Sequence, residues 1–261
     1  MSTTRQLGLM TALLFLEIAL FSFAWKKWII FSVEKYFHPK YHITCIEQTS
    51  PTKEALTSSF FAEALDLSAE RPVSKWSLQP RALEAKLLQY PFMKTVKVSM
   101  KGPQAVSIQY EVRAPLAVLA DFHGAWIDND RMVFPIFPFF TTKKVPRFFL
   151  GWRSLPENEK PVRFELARRI MQIAGREKIT GMALDWVDVS KAYQPSLGER
   201  EIVIGFKSAE GSSMHYIRTG PKKVDETLRK YACLLEKNPD TVKNNLTCDF
   251  RIDELAFVEK F

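Results

Sequence analysis

His38 and His42 stand four apart, the spacing at which two imidazoles share a helix face and can hold zinc. Pro39 lies between them, removes a backbone donor and breaks such a helix, so two solvated histidines are expected. The cysteines are Cys45, Cys233 and Cys248; their number is odd and no CxxC spacing occurs, which leaves a metal site unsupported. An oxidising compartment permits one disulfide, with Cys233 and Cys248 as the pair, although buried free thiols are the commoner outcome. Asp185 and Asp188 are the closest approach to the carboxylate pair of an acid–base enzyme. In a strand, a spacing of three puts them on opposite faces, which spoils a dyad. Asp128-Asn129-Asp130 resembles the start of a calcium loop, but the required glycine and distal glutamate are missing; a turn is expected. Asn245-Leu246-Thr247 fits a glycosylation sequon, which carries little weight without a secretory context. No Gly-rich phosphate loop, HExxH or GxSxG motif is present. With four histidines there is little room for ordinary acid–base catalysis. The expectation is a protein that is not an enzyme, with no metal, no cofactor and no small-molecule substrate.

The elements that hold these residues begin with an apolar run. From Leu7 to Trp25 the chain is apolar except for Glu17 and small or hydroxyl residues, a length that just spans a bilayer as a helix. Trp25 and Trp28 with Lys26 and Lys27 resemble an interfacial belt with snorkelling amines. A cleavable signal peptide is the rival reading, because Ser22-Phe23-Ala24 has the small-x-small form. The aromatic stretch running on through Trp28 and Phe31 favours an anchor. Glu17 at mid-membrane asks for a partner helix or a proton. Arg5 and the amino terminus precede the run, and Lys26, Lys27, Lys35 and Lys40 follow it; counted literally, that points the C-terminal side to the cytosol, but long translocated domains obey this rule poorly and the tally is overridden. The net charge of +8 is spread along the chain, with its densest clusters at Lys143, Lys144, Arg147 and at Lys222, Lys223. No nucleic-acid motif accompanies it, so a solvated basic face near an anionic membrane is expected rather than a nucleic-acid partner.

Beyond the anchor the pattern is strand (41–47), helix (50–67), helix (80–90) and two strands (93–100 and 105–112), joined by the turn Lys101-Gly102-Pro103-Gln104. In the last strand Val106, Ile108, Tyr110 and Val112 point one way. Two helices over one face of a small sheet would bury these stripes. Short strands follow at 116–120, 125–127 and 132–134, then an irregular Pro/Phe loop at 135–146 and a helix at 162–177. The remainder is strand-rich: 182–189, 200–207 and 213–218, a helix at 222–237, then strands at 247–253 and 255–261. Gly205 weakens its strand and marks a candidate bulge. The fold class is therefore α+β: an N-terminal transmembrane helix, a β-α-α-β-β domain and a mixed-sheet β domain with flanking helices.

Four stretches carry a resemblance to the bacterial division proteins of the FtsQ (DivIB) family. Tyr90-Pro91-Phe92-Met93 with KTVKVSM is similar to the family's LPWV run. QYEVRAPLAVL at 109–119 resembles its ER.PVA junction, WIDNDRMVF at 126–134 its ID..G.VF turn, and TCDFRIDELAFV at 247–258 its final DLRY..G.AV hairpin. The order is the family's and covers essentially the whole chain. Two glycines of the pattern are absent: Asp130 or Arg131 stands at one, and Glu254-Leu255 replaces the one in the last hairpin. The resemblance implies a cytoplasmic tail at 1–6, a transmembrane anchor and interface at 7–31 (marked by Leu7, Glu17 and Trp25), a POTRA domain at 41–112 and an FtsQ/DivIB-type β domain at 114–261. It implies a non-enzymatic, single-pass inner-membrane scaffold at the division septum, with its C-terminal domains outside the cytoplasm. The implied partners are FtsB- and FtsL-like proteins, with FtsW/FtsI-type septal synthases and FtsK-like proteins further out. A strand from the FtsB-like partner would add to the last strand, over Arg251 and Ile252 on the penultimate strand and Ala256, Phe257, Val258 and Phe261 on the last. Arg251 would pair with an acidic partner residue. For the apolar positions, simply completing the sheet is an equal reading. A second surface is expected at the POTRA exit strand, at Tyr110, Glu111 and Arg113, where an ordinary salt bridge is the competing reading. The alternatives in other classes are a POTRA-type chaperone or secretion component and a membrane-anchored envelope enzyme.

Overall fold

In the computed structural model the chain divides into two units, Met1–Val112 and Arg113–Phe261. The structure describes residues 3–51, 56–68, 70–139, 143–177, 179–193, 201–252 and 255–260, apart from the side chains at 3–9 and 12. The fold is α+β with mixed sheets.

The first unit runs α1 (Thr3–Phe37), a 3-10 turn (Pro39–Tyr41), β1 (Cys45–Thr49), α2 (Ser58–Ala64), α3 (Pro80–Leu87), β2 (Met93–Lys101) and β3 (Ala105–Val112). Thr57 caps α2, its hydroxyl accepting the Phe60 N–H at 3.2 Å. Pro80 opens α3, where its missing donor is harmless. The sheet order is β1-β3-β2, with β1 parallel and β2 antiparallel to β3. Parallel strands need a crossover, and the segment carrying α2 and α3 provides it. Phe61 and Leu87 from the helices are fully buried, as are Val106 and Ile108 from β3; each such side chain contributes about 1.5–3 kcal/mol of transfer free energy. The first strand starts at Cys45 rather than 41, because Pro39 initiates the turn and His42 bridges instead to Ser74.

The transmembrane helix expected over 7–31 is corrected here. Among the described residues, no helix is long and apolar enough to cross a membrane. Although α1 has 35 residues, Glu17 lies within its apolar stretch and Lys26 and Lys27 follow directly after Trp25. A bilayer core asks for about 20 apolar residues in succession. Glu17 and Trp25 are exposed on α1, and the side chain of Leu7 lies outside the described residues.

The second unit contains β4 (Ala117–Leu119), β5 (Ala125–Ile127), β6 (Val133–Pro135), β7 (Arg147–Phe149), α4 (Lys160–Arg176), β8 (Met182–Asp188), β9 (Ile202–Ser208), β10 (Met214–Thr219), α5 (Val224–Lys237), a 3-10 turn (Pro239–Lys243), β11 (Leu246–Asp249) and β12 (Phe257–Lys260). These strands form one sheet in the order β12-β11-β10-β9-β8-β7-β4-β5-β6. The parallel steps β7/β8 and β10/β11 are bridged by α4 and α5. Phe164, Ala167 and Ile170 of α4 and Leu228 and Tyr231 of α5 are buried in one cluster with Phe148, Val187, Ile204 and Ile217 from the strands. Arg169 of α4 pairs with Asp225 of α5 at 2.5 Å.

Asp185 and Asp188 do not follow simple strand alternation. A bulge between Leu184 and Trp186 shifts the register against β9, so Met182 and Val187 are both buried. The carboxylates are engaged separately: Asp185 with Arg147 at 2.5 Å, and Asp188 with the Ser190 N–H at 2.8 Å. The bulge lies opposite Gly205, not at it, and Gly205 has another role. A Cβ there would sit 2.1 Å from Trp186 Nε1, so the indole lies across the bare backbone.

Candidate partner-binding edge

The last hairpin is built on β10. Residues Leu246–Asp249 pair in parallel with β10 and antiparallel with β12, in the register Leu246↔Lys260 to Asp249↔Phe257. Cys248 and Phe250 are buried beneath the hairpin. Burial pushes the Cys248 thiol up to about 11, so it is an inert core group. Cys233 and Cys45 are exposed and all three thiols are free. The expected burial of Cys233 fails because the buried stripe of α5 is Val224, Thr227, Leu228, Tyr231 and Leu235, and residue 233 lies off it.

The strand expected over 247–253 stops at Asp249. There the chain turns: the Phe250 N–H donates to the Arg218 carbonyl at 3.0 Å and the Arg251 N–H to Asp249 Oδ1 at 3.1 Å. The Arg251 guanidinium closes on the same carboxylate, with Nε 3.0 Å from both oxygens and Nη2 2.6 Å from Oδ2. Burial alone would raise the Asp249 carboxyl; the hydrogen bonds and charge of Arg251, helped by Arg218, outweigh it and hold the group below its ordinary value. Lys223 Nζ donates to the Arg251 carbonyl at 3.2 Å. Arg251 therefore organises the hairpin turn from within the chain.

On β12 every described residue is exposed. Phe257 is 57% and Val258 48% accessible, and the hairpin adds Ile252 at 55% and Leu255 at 56%. Ala256 is exposed as well, and Phe261 lies outside the described residues. An edge strand leaves one row of backbone groups without a ladder partner. Here that row is flanked by apolar side chains on both faces, so these residues do not complete a core.

A buried polar cluster joins β10, α5 and the segment that leads into β11. His215 of β10 is fully buried. Its Nδ1 lies 2.7 Å from the Tyr231 hydroxyl, and its Nε2 lies 2.9 Å from the Asn244 carbonyl and 3.2 Å from that of Thr241. Two carbonyls at Nε2 require the proton there, so Tyr231 donates to Nδ1. Burial lowers the His215 pKa, only partly offset by the two carbonyl contacts, and burial raises that of Tyr231. The imidazole thus ties the segment leading into β11 to the sheet. The one available sequence signal was a histidine at an inward position of an alternating strand.

The second expected surface is not assembled. Tyr110 is 2% exposed, its hydroxyl accepts the Leu56 N–H at 2.8 Å and donates to Gln48 Oε1 at 3.3 Å, and burial raises its pKa. Its strand, β3, is central in its sheet, with both edges paired. Glu111 pairs with Lys94 at 3.2 Å. Arg113 belongs to the second unit, where it holds Asp128 at 2.7 Å. Asp128 in turn accepts the N–H groups of Asp130 and Met132 at 2.9 and 2.8 Å, which makes the expected turn between β5 and β6. Arg131 adopts φ +65° there, the left-handed region that glycine enters most readily. Among the described residues no group of three or more His, Cys, Asp or Glu is placed to hold a metal. Neither a scan of family models nor a search of curated proteins yields a match to this chain.

Proposed function

We propose that this chain is a non-enzymatic cell-division scaffold of the FtsQ/DivIB type. It would work at the division septum, on the outer side of the bacterial inner membrane. Its C-terminal edge would take a strand from an FtsB-like protein, itself joined to an FtsL-like protein, and so link early division proteins to FtsW/FtsI-type septal synthesis. The observation that carries this reading is β12: an edge strand with Phe257 and Val258 exposed, beside Ile252 and Leu255. Main-chain pairing would provide affinity and the alternating side chains specificity. The β-α-α-β-β order of the first unit is that of a POTRA domain, which supports the same reading. Arg251 enters this function as the residue that shapes the turn, since Asp249 already occupies its fork.

The experiment is co-purification of the full chain with FtsB- and FtsL-like proteins. Phe257→Ser with Val258→Ser should leave the fold intact, because both side chains are exposed, and weaken capture by roughly thirtyfold, as loss of an interface hot spot does. Deletion of 255–261 should abolish it. Undiminished capture by either folded variant would reject the edge as the docking strand.

A further inference from the structure

We propose that the end of α1 and the corner at Lys75–Trp76 form a binding patch for acidic phospholipid headgroups at a bilayer surface. The patch lies in the first unit and does not rest on the edge-strand reading.

Main-chain pairing builds it. The Lys75 N–H donates to the Tyr41 carbonyl at 2.8 Å, the Ile43 N–H to the Val73 carbonyl at 2.9 Å, and the Ser74 hydroxyl to the Lys35 carbonyl at 3.2 Å. These bonds fasten the last turn of α1 to the 73–76 segment. They bring two ammonium groups to one indole: Lys35 Nζ lies 4.6 Å and Lys75 Nζ 5.0 Å from the Trp76 ring centre. Lys35 also sits 4.3 Å above Phe31, and Lys75 5.7 Å from Tyr41. Aromatic faces orient an ammonium without neutralising it. Among the described residues neither amine has a carboxylate partner. A cavity of about 250 Å³ adjoins Lys35, lined also by Phe31, Glu34, His38, Lys40 and Tyr41. In that lining two ammoniums, Lys35 and Lys40, stand with one carboxylate, Glu34, and Lys75 Nζ donates to the Gly102 carbonyl at 3.0 Å, which leaves its charge in place.

The charge calls for an anion, and the surroundings identify its source. Trp76 is 44% exposed, and Phe31, Tyr36 and Phe37 near the end of α1 are exposed as well. Tryptophan and tyrosine with lysine at one level is the composition of a membrane–water interface. A soluble anion would need no such apolar rim, whereas a phospholipid layer supplies phosphate for the amines and acyl boundary for the rings.

The test uses the full chain and vesicles of phosphatidylcholine, alone or with one part in three phosphatidylglycerol. Wild type should partition more strongly onto the acidic vesicles. Lys35→Gln with Lys75→Gln should weaken that partitioning by roughly thirtyfold, about fivefold per lysine, and leave partitioning onto phosphatidylcholine unchanged. Lys191→Gln with Lys237→Gln, matched in charge but in the second unit, should retain most of the preference. Equal partitioning of wild type onto both vesicle types overturns the proposal, as does an equal loss in the two double variants. Full displacement from acidic vesicles by inorganic phosphate at matched phosphate concentration and constant ionic strength also overturns it, because the site would then be one for a small anion.

Discussion

Trp186 and Gly205 pair across β8 and β9, and the pair works only because one partner has no side chain. Any Cβ at 205 would lie within 2.1–2.6 Å of the indole, closer than real atoms approach, so Gly205→Ala must displace Trp186 from Phe149 and Tyr216. Overpacking of this kind costs about 1–3 kcal/mol; denaturant titration should show that loss, and Trp186→Ala in the same background should recover part of it. His215 gives a second residue-scale prediction. Its pKa is lowered in the folded chain from an ordinary 6.5. Below about pH 6.5 the unfolded chain binds a proton that the folded chain does not, and stability falls as pH drops toward the depressed folded value. Above 6.5 this group contributes no pH dependence. Melting temperatures should decline between pH 7 and 5 in the wild type, and His215→Gln should flatten that slope while lowering stability throughout. An equal slope in both proteins would assign the acid sensitivity elsewhere.

The β11–β12 hairpin shows how an element is held when its outer strand has no core of its own. Its inner strand is fixed by Leu246 and Cys248, both fully buried, and by the His215 tie to the preceding turn. Its turn is fixed by Asp249 and Arg251. With only antiparallel pairing to β11 and exposed side chains, β12 depends on that turn for its register. Arg251→Ala should therefore fray β12 without unfolding the unit: hydrogen exchange should quicken at 257–260 and stay slow in β9 and β10. It should also weaken partner capture through disorder of the edge. Unchanged exchange at 257–260 would mean the turn is held without the guanidinium. The same carboxylate adds an acid limit, because its folded pKa lies below the ordinary 3.8 and its contribution is lost as pH falls through that folded value.

On the scale of the whole molecule, each unit carries a separate core. Most of the buried apolar residues described in 113–261 form one cluster that runs from Ala117 to Phe250, and the first unit buries its own around Phe61, Leu87 and Ile108. Expressed alone, 113–261 should unfold in one cooperative transition, with far-ultraviolet and tryptophan signals coincident. A fragment lacking such a transition would mean that the second core requires the first unit. Because Pro115 follows the division at Val112/Arg113 by three residues, φ is restricted there and Ala114 is biased to extended backbone.

Much of the element pattern was legible in the chain because alternation and breakers are local properties. Val106, Ile108, Tyr110 and Val112 alternate through β3 and all are buried; Pro80, Leu83 and Leu87 open and line α3. Phe257 and Val258 could be read as members of a last strand, with partner docking and completion of the sheet as equal readings. Exposure depends on the sheet order, and pairing partners distant in sequence leave no local trace. Tyr110 is withheld from any surface by contacts equally distant in sequence: its ring packs on Phe61 and its hydroxyl binds Leu56 and Gln48. Periodicity could not give the bulge at Leu184/Trp186, because one inserted residue reverses every later side chain. The apolar N-terminal run predicted a spanning helix, and Glu17 with Lys26 and Lys27 interrupts the described part of it. The sequence by itself determined a two-part α+β chain with no recognisable catalytic motif. Tertiary structure alone decided where His215 finds its partners, which strand forms the edge, and that Lys35 and Lys75 meet at one indole, because each depends on contacts between segments apart in the chain.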